Sequence, residues 1–401
     1  MPAQRFRPDQ IMAAQACTGC RYCVDVCPAV TASGDSRLSG LYRLTSFIRA
    51  QKAQHGILKH LYRRKPGLED WSGFAETVYR CTLCGNCEEV CPSGIGLREL
   101  WLDLRQDLVD RKAYPAKIDR IAENLISSHN VFDEDQEDRI EWTEDLSDDD
   151  DLEDRLFRDQ AEVVYFTGCV ASYFPMAQKI PLALVETIEA AKVNFTLLGA
   201  DEWCCGFPLL GAGMGDQFKE IVEHNVEAVR QKKAKEIVFA CPSCYMMWRE
   251  HYPRESKLTH TTEFLLRLIQ EKRLNLRPLD MTVTYHDPCD LGRGAGEYDN
   301  PREVIRSLPG VRLVEMAHSG PDCRCCGGGG NLEMIDPKLA GDIASAKIQE
   351  VMDTGASAVI TACQQCVRTM ATFARRNKIN LNVLDISQFV RQALLKGNEG
   401  D

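Results

Sequence analysis

Two periodicities divide the chain. In the front part, Asp9 to Ala16, Leu38 to Lys59 and Arg98 to Lys112 carry apolar side chains at helical spacing with little β-branched content. Further along, short β-rich runs take over: Glu162 to Thr167, Glu236 to Ala240, Thr282 to Tyr285 and Ala356 to Thr361. Between them lie helical patterns, among them Pro181 to Lys192, Asp216 to Lys233 and Lys338 to Thr354. Strands alternating with helices predict α/β units with mainly parallel sheets, behind a small, mainly α-helical N-terminal domain. Such sheets gather ligands beyond the carboxyl ends of their strands. Each of the four runs ends at or just before a cysteine: Cys169, Cys241, Cys289 and Cys363.

The cysteines change the picture most. There are 19 in 401 residues, high for a large chain that is 44% hydrophobic and 27% charged. No apolar run reaches the ~18 residues of a membrane-spanning helix, and Met1 to Ile11 is polar, unlike a signal peptide. A transmembrane subunit and an exported protein are therefore not expected. In a reducing compartment, metal binding or redox chemistry is favoured over disulfides.

The spacings separate two repeats. Cys17-x2-Cys20-x2-Cys23-x3-Cys27-Pro28 recurs 64 residues later as Cys81-x2-Cys84-x2-Cys87-x3-Cys91-Pro92. This is the run of bacterial two-cluster ferredoxins, in which the fourth cysteine ligates the other cluster. One [4Fe–4S] cubane is assigned to Cys17, Cys20, Cys23 and Cys91, the other to Cys81, Cys84, Cys87 and Cys27. Structural zinc, complete with four ligands, fits eight cysteines in this pattern badly. The second repeat is longer. Cys169, Cys204-Cys205-Gly206 and Cys241-x2-Cys244 recur as Cys289, Cys325-Cys326-Gly327 and Cys363-x2-Cys366, offset by 120 to 122 residues. That marks a duplicated domain. A vicinal disulfide and a zinc site with a spare thiol are the competing readings, but five soft ligands in two matched copies suit iron and sulfide better. Only Cys323 is unplaced, and it reads as a bystander, an extra ligand or a redox-active thiol. His286 could donate to a cluster sulfur or to a product thiolate, though a packed loop histidine is the plainer reading.

Charge adds less. Asp133 to Asp154 holds fourteen Asp or Glu and one Arg, so the net charge of −11 comes from this one segment. It reads as a solvated connector. Ser36 to Leu68 has eight basic and no acidic residues, either a solvated or interdomain face or a docking surface for acidic groups. The series Gly211-x-Gly213-x-Gly215 and Gly292-x-Gly294-x-Gly296 lack the full dinucleotide fingerprint and read as turns near clusters. No flavin, haem or nucleic-acid site is expected.

The duplicated Cys…Cys-Cys-Gly…Cys-x2-Cys arrangement resembles the CCG domain of heterodisulfide reductases. Two ferredoxin motifs followed by two CCG copies are similar to the fused iron–sulfur polypeptide of the membrane-linked enzymes of that family. Equivalently, they resemble the ferredoxin-like and CCG polypeptides of the soluble enzymes joined in one chain. The resemblance spans roughly Ile11 to Val390. It implies a ferredoxin-like domain over 1–125, an acidic linker over 126–160 and CCG copies over 161–278 and 279–401. It further implies one noncubane [4Fe–4S] cluster on Cys169, Cys204, Cys205, Cys241 and Cys244, and another on Cys289, Cys325, Cys326, Cys363 and Cys366. In the family a heterodisulfide sits between these clusters and is cleaved by stepwise reduction to two thiols. The expectation is thus an oxidoreductase acting on a sulfur group, an iron–sulfur protein that takes electrons from a partner through two cubanes to two noncubane clusters. The reverse reaction would oxidise two thiols. The alternative is a pure electron-transfer component of a larger complex. The implied partner is a flavoprotein or a membrane cytochrome b in a hetero-oligomer. The implied location is cytoplasmic, with such a partner able to hold the chain at the inner membrane face.

Overall fold

The computed structural model describes residues 6–55, 71–146 and 151–395. The chain forms two compact units, each built from several stretches. The first comprises Met1–Ala122, Pro208–Gln217 and Arg324–Lys347; the second comprises Glu123–Phe207, Phe218–Cys323 and Ile348–Asp401.

The first unit is helical. Its main helices are Pro8–Gln15, Gly40–His55, Trp71–Tyr79 and Leu97–Asp110 in the front part, and Pro337–Met352, which runs on past the end of this unit. The patterns Asp9 to Ala16, Leu38 to Lys59 and Arg98 to Lys112 fall on helices Pro8–Gln15, Gly40–His55 and Leu97–Asp110, and the tail of the second, 56–59, lies outside the described residues. Leu97–Asp110 buries Leu97, Leu100, Trp101, Leu104 and Leu108, one helical stripe. The basic stretch does not form one solvated face. Arg43 is buried and donates through Nε to the Thr77 carbonyl at 2.8 Å. Residues 56–68 of that stretch lie outside the described residues.

Arg105, on the same helix as Trp101, is fully buried and gathers the unit's separate stretches. Its Nη1 donates to the carbonyls of Gly211 (2.5 Å) and Gly330 (2.9 Å), and its Nη2 to that of Cys81 (2.7 Å). Gly213, with φ +82°, lies so close to the Arg105 backbone that any Cβ there would collide with it. The first glycine series is therefore a packing surface for a helix.

The second unit is α/β, with two four-stranded parallel sheets. Strands β1 (Val163–Phe166), β2 (Phe195–Leu197), β3 (Glu236–Phe239) and β4 (Lys257–His260) lie in the order β2-β1-β3-β4. Strands β5 (Met281–His286), β6 (Val311–Val314), β7 (Ala358–Thr361) and β8 (Asn382–Asp385) repeat it as β6-β5-β7-β8. The four runs legible in the sequence are the central strands β1, β3, β5 and β7. They are almost continuously apolar because helices cover both faces. The outer strands are short and carry polar residues, as in Lys257–His260, so their alternation is weak. The copies share one core. Helix Lys179–Ala190 packs on Ile386–Ala393, and Thr261–Gln270 packs on Asp299–Ser307.

The acidic segment differs from a solvated connector. Residues Glu137–Asp145 form 3-10 turns in which Arg139 and Trp142 are buried. Arg139 has a buried carboxylate to meet there, which the net charge of the segment does not reveal.

Candidate metal centres

The ferredoxin-like cysteines surround two clefts within the first unit. Cys17, Cys20, Cys23 and Cys91 line one of about 340 Å³, with Leu41, Leu44 and Ile95. Cys27, Cys81, Cys84 and Cys87 line the other, about 380 Å³, with Arg43 and Trp101. Each motif curls round its cleft through two left-handed residues at matching positions, Gly19 and Arg21 in the first and Leu83 and Gly85 in the second. Proline after the fourth cysteine of the first motif opens helix Pro28–Ser33, where its missing N–H costs nothing. The clefts are near neighbours. A Cβ on Gly40 would lie 3.2 Å from Cys87 Cβ and 3.7 Å from Cys23 Sγ. They differ in exposure, since Cys20 is exposed while Cys27 and Cys84 are buried. Burial pushes the Cys23 and Cys27 thiols up to about 11. A thiolate at neutral pH there depends on a bound cation, and binding one releases protons.

The first five-cysteine set is assembled by the β2-β1-β3-β4 sheet. The strand order reverses between β1 and β3, so their carboxyl ends flank the crevice where parallel sheets bind ligands. Cys169 follows β1 and Cys241 follows β3. All five thiols are buried, and sulfur-to-sulfur hydrogen bonds link Cys169 to Cys204, Cys204 to Cys205, Cys205 to Cys244 and Cys244 to Cys241. Received hydrogen bonds from Cys204 and Cys244 lower Cys205 to about 6, while the donors are pushed up. Gly168, at φ +81°, brings the backbone to the sulfurs; a Cβ there would sit 3.3 Å from Cys244 Sγ. Five gathered soft donors exceed the four that complete a zinc site and fit an iron–sulfur group.

Polar residues absent from the motif hold this set. Gln364 is buried; its Nε2 donates to the Thr167 carbonyl at 2.7 Å, and its Oε1 accepts from Ala171 N at 3.2 Å. Asn225 accepts from Trp203 N and donates to the Cys204 carbonyl, and the Tyr252 hydroxyl donates to the Cys205 carbonyl. Glu202 accepts from Thr167 N and Gly168 N, both at 2.7 Å, and from Arg139. Arg139 also reaches Cys169 Sγ at 3.7 Å. Trp203 is stacked between His129 and His224, with centroids 3.5 and 3.7 Å away. No spacing rule points to these residues; in the sequence Arg139 is distinguished only as the one Arg of the acidic run Asp133 to Asp154.

Of the second set, Cys289 and Cys363 follow β5 and β7, the strands equivalent to β1 and β3, and Cys366 lies on helix Gln364–Arg376. Cys363 Sγ accepts from Cys366 N at 3.4 Å. Cys325 and Cys326 lie in the stretch belonging to the first unit, where Cys325 Sγ accepts from Gly327 N at 3.3 Å. In that unit a Cβ on Gly329 would lie 2.5 Å from the Thr82 carbonyl, and one on Gly330 would strike that of Cys81. The loop after the second Cys-Cys-Gly thus lies flat on a ferredoxin-like motif. Cys323 is buried with its Sγ 3.5 Å from His286 Nδ1.

A helical domain with two cysteine-lined clefts, followed by a duplicated parallel α/β domain with clustered cysteines, defines an iron–sulfur redox protein. The CCG family, a cysteine-rich domain, matches residues 163–249 and 283–371, and a 4Fe–4S dicluster domain matches 13–95. The chain is 35% identical to a subunit of the dihydromethanophenazine:CoB–CoM heterodisulfide reductase of Methanosarcina acetivorans, over 96% of this chain and 95% of that one. It is 34% identical to the protein of the same name in Methanosarcina mazei, with the same coverage. A subunit of the CoM/CoB fumarate reductase of Methanothermobacter marburgensis is 27% identical over 90% of this chain and 69% of its own. The chain belongs to the heterodisulfide reductase family, among its fused ferredoxin–CCG polypeptides, and is an oxidoreductase of iron–sulfur type. Among the described residues no helix is long and apolar enough to cross a membrane.

Proposed function

We propose that this chain is the disulfide-cleaving iron–sulfur component of a heterodisulfide reductase-like complex. The observation that carries the reading is the duplication: two complete five-cysteine sets, with cysteines of each beyond the carboxyl ends of matching central strands. Cys17, Cys20, Cys23 and Cys91 would hold one cubane and Cys81, Cys84, Cys87 and Cys27 the other. Cys169, Cys204, Cys205, Cys241 and Cys244 would hold one noncubane cluster; Cys289, Cys325, Cys326, Cys363 and Cys366 would hold the second. Such clusters supply one electron at a time and an iron able to take up thiolate sulfur. The overall reaction joins one disulfide, two electrons and two protons into two thiols, or runs in reverse.

The chain's own residues serve this in distinct ways. The exposed Cys20 makes the first cleft the entry point for electrons from a partner. Gly40 lets the second cleft approach it. Gln364, Asn225 and Tyr252 hold the first five-cysteine set, and its burial excludes water. His286 and Cys323 form a buried pair that can carry a proton. A hetero-oligomer follows from the electron requirement, with a flavoprotein or a membrane cytochrome b as donor. With the latter the complex works at the inner membrane face.

Low-temperature EPR of the anaerobically purified, oxidised protein, with and without coenzyme M or coenzyme B, tests the reading. A new paramagnetic signal with one thiol is expected. Unchanged spectra over intact clusters would leave an electron relay in place of a disulfide reductase.

A further inference from the structure

The two CCG copies are not electrically alike at their first cysteine. We propose that Arg139 is a positioning residue that raises the reduction potential of the iron–sulfur group held by the first five-cysteine set, through its hydrogen bond to Cys169. The inference rests on the reading that this set holds such a group.

Arg139 comes from the 3-10 turns at Glu137–Asp145, outside the stretch 163–249 that matches the CCG family. Its side chain is buried and its Nη2 lies 3.7 Å from Cys169 Sγ, within reach of an N–H···S hydrogen bond. The guanidinium is permanently charged and lies over the Tyr173 ring at 5.2 Å. Its Nη1 is anchored on Glu202 Oε1 at 2.8 Å. That carboxylate does not cancel the cation at the sulfur. Both its oxygens also accept backbone N–H groups, Thr167 and Gly168, and it meets Nη1 while Cys169 meets Nη2. The negative charge is therefore spread over three donors, while a positive edge faces Cys169. A reduced cluster carries one more negative charge than an oxidised one. A nearby cation and a donor to the ligand sulfur both favour the reduced form, and hydrogen bonds to sulfur are a known lever on such potentials.

The second copy is built differently. Cys289 Sγ lies 3.9 Å from a carboxylate oxygen of Asp290. The position matching Glu202 at the offset of 121 is Cys323, and the position matching Thr167 at the offset of 120 is Asp287. Asp287 and Glu315 between them occupy Arg302 in paired contacts of 2.7 to 3.0 Å. The duplication thus kept the cysteines and changed their neighbours, with Asp287 at the Thr167 position and Cys323 at the Glu202 position.

The test is a dithionite redox titration of the anaerobic full-length protein followed by EPR, with iron counted in every variant. Arg139→Met should lower one noncubane midpoint by at least a tenfold change in the oxidised-to-reduced ratio, about 59 mV for one electron. Arg139→Lys should recover part of that shift. Glu202→Gln, which removes the counter-charge, should move the same midpoint the other way, a sign that loosened structure alone would not produce. The cubane midpoints should stay put. Unmoved midpoints in Arg139→Met with iron retained overturn the inference. If Arg139→Met loses iron, a Glu202→Gln midpoint that stays or falls overturns it. An iron count that Cys205→Ala leaves unchanged would instead refute the cluster reading itself.

Discussion

Replacing Arg105 by methionine asks what a buried guanidinium contributes when its partners are backbone carbonyls. Three of its contacts are short: Gly211 at 2.5 Å, Cys81 at 2.7 Å and Gly330 at 2.9 Å. The Val78 carbonyl at 3.1 Å is a fourth. Methionine keeps the apolar packing of the stem but satisfies none of them. A buried acceptor without a partner costs about 1–3 kcal/mol. Three at about 2 kcal/mol each give about 6 kcal/mol, and relief of the guanidinium's own burial offsets about half. A net loss of about 3 kcal/mol is expected. In a unit of roughly 150 residues that lowers the melting temperature by about 6–12 °C. The assay is anaerobic melting at fixed scan rate, read by visible absorption of the clusters and by far-UV circular dichroism. Arg43→Met is the comparator, because Arg43 Nε meets one carbonyl, Thr77. Its effect should be about a third as large. A shift below about 2 °C for Arg105→Met, or an equal shift for Arg43→Met, would refute the reasoning.

Three further outcomes are expected. Cys205→Ala and Cys326→Ala should each remove one noncubane cluster and spare both cubanes, which Mössbauer spectra and iron counts would reveal; full iron content in either variant contradicts the ligand assignment. Gly40→Val should disturb both cubanes at once, because its side chain would press on Cys87 and Cys23, and loss of only one EPR signal would contradict that. Two buried groups at matching strand ends should make stability pH-dependent in opposite senses. Burial drops His260 to about 3, so its contribution is complete above about 6.5 and is lost as pH falls toward 3, about 2 kcal/mol of it by pH 5. Burial raises Asp385 to about 7, so its contribution is complete below about 3.8 and is lost as pH rises to 7. Asp385→Asn keeps an acceptor for Ser387 N and should stabilise the protein at neutral pH by about 2–4 kcal/mol. Urea midpoints of wild type and variant that run parallel from pH 4 to 8 would sink the assignment.

The covalent pattern alone announced much of this molecule. Three thiols at three-residue spacing wrap one bulky centre while the fourth, before a proline, reaches the neighbouring one, so the ferredoxin-like motifs are readable from spacing. The recurrence of five cysteines in one order at offsets of 120 to 122 residues marks the duplication from the sequence alone. Central strands such as β1 and β7 are buried on both faces, so their apolar runs stand out. The outer strands do not: β4, β6 and β8 are partly exposed and tolerate lysine, arginine and asparagine, and β2 is buried but only three residues long. Packing alone decided the rest. Gln364 meets Ala171 across 193 residues, and Arg139 meets Glu202 across 63. Residues 208–217, which follow the first Cys-Cys-Gly turn, and 324–347, which contain the second, belong to the helical unit rather than to the sheets. Such contacts follow no period along the chain. They exist because a buried donor or charge must find a partner once the core closes, and which partner is near depends on the whole fold.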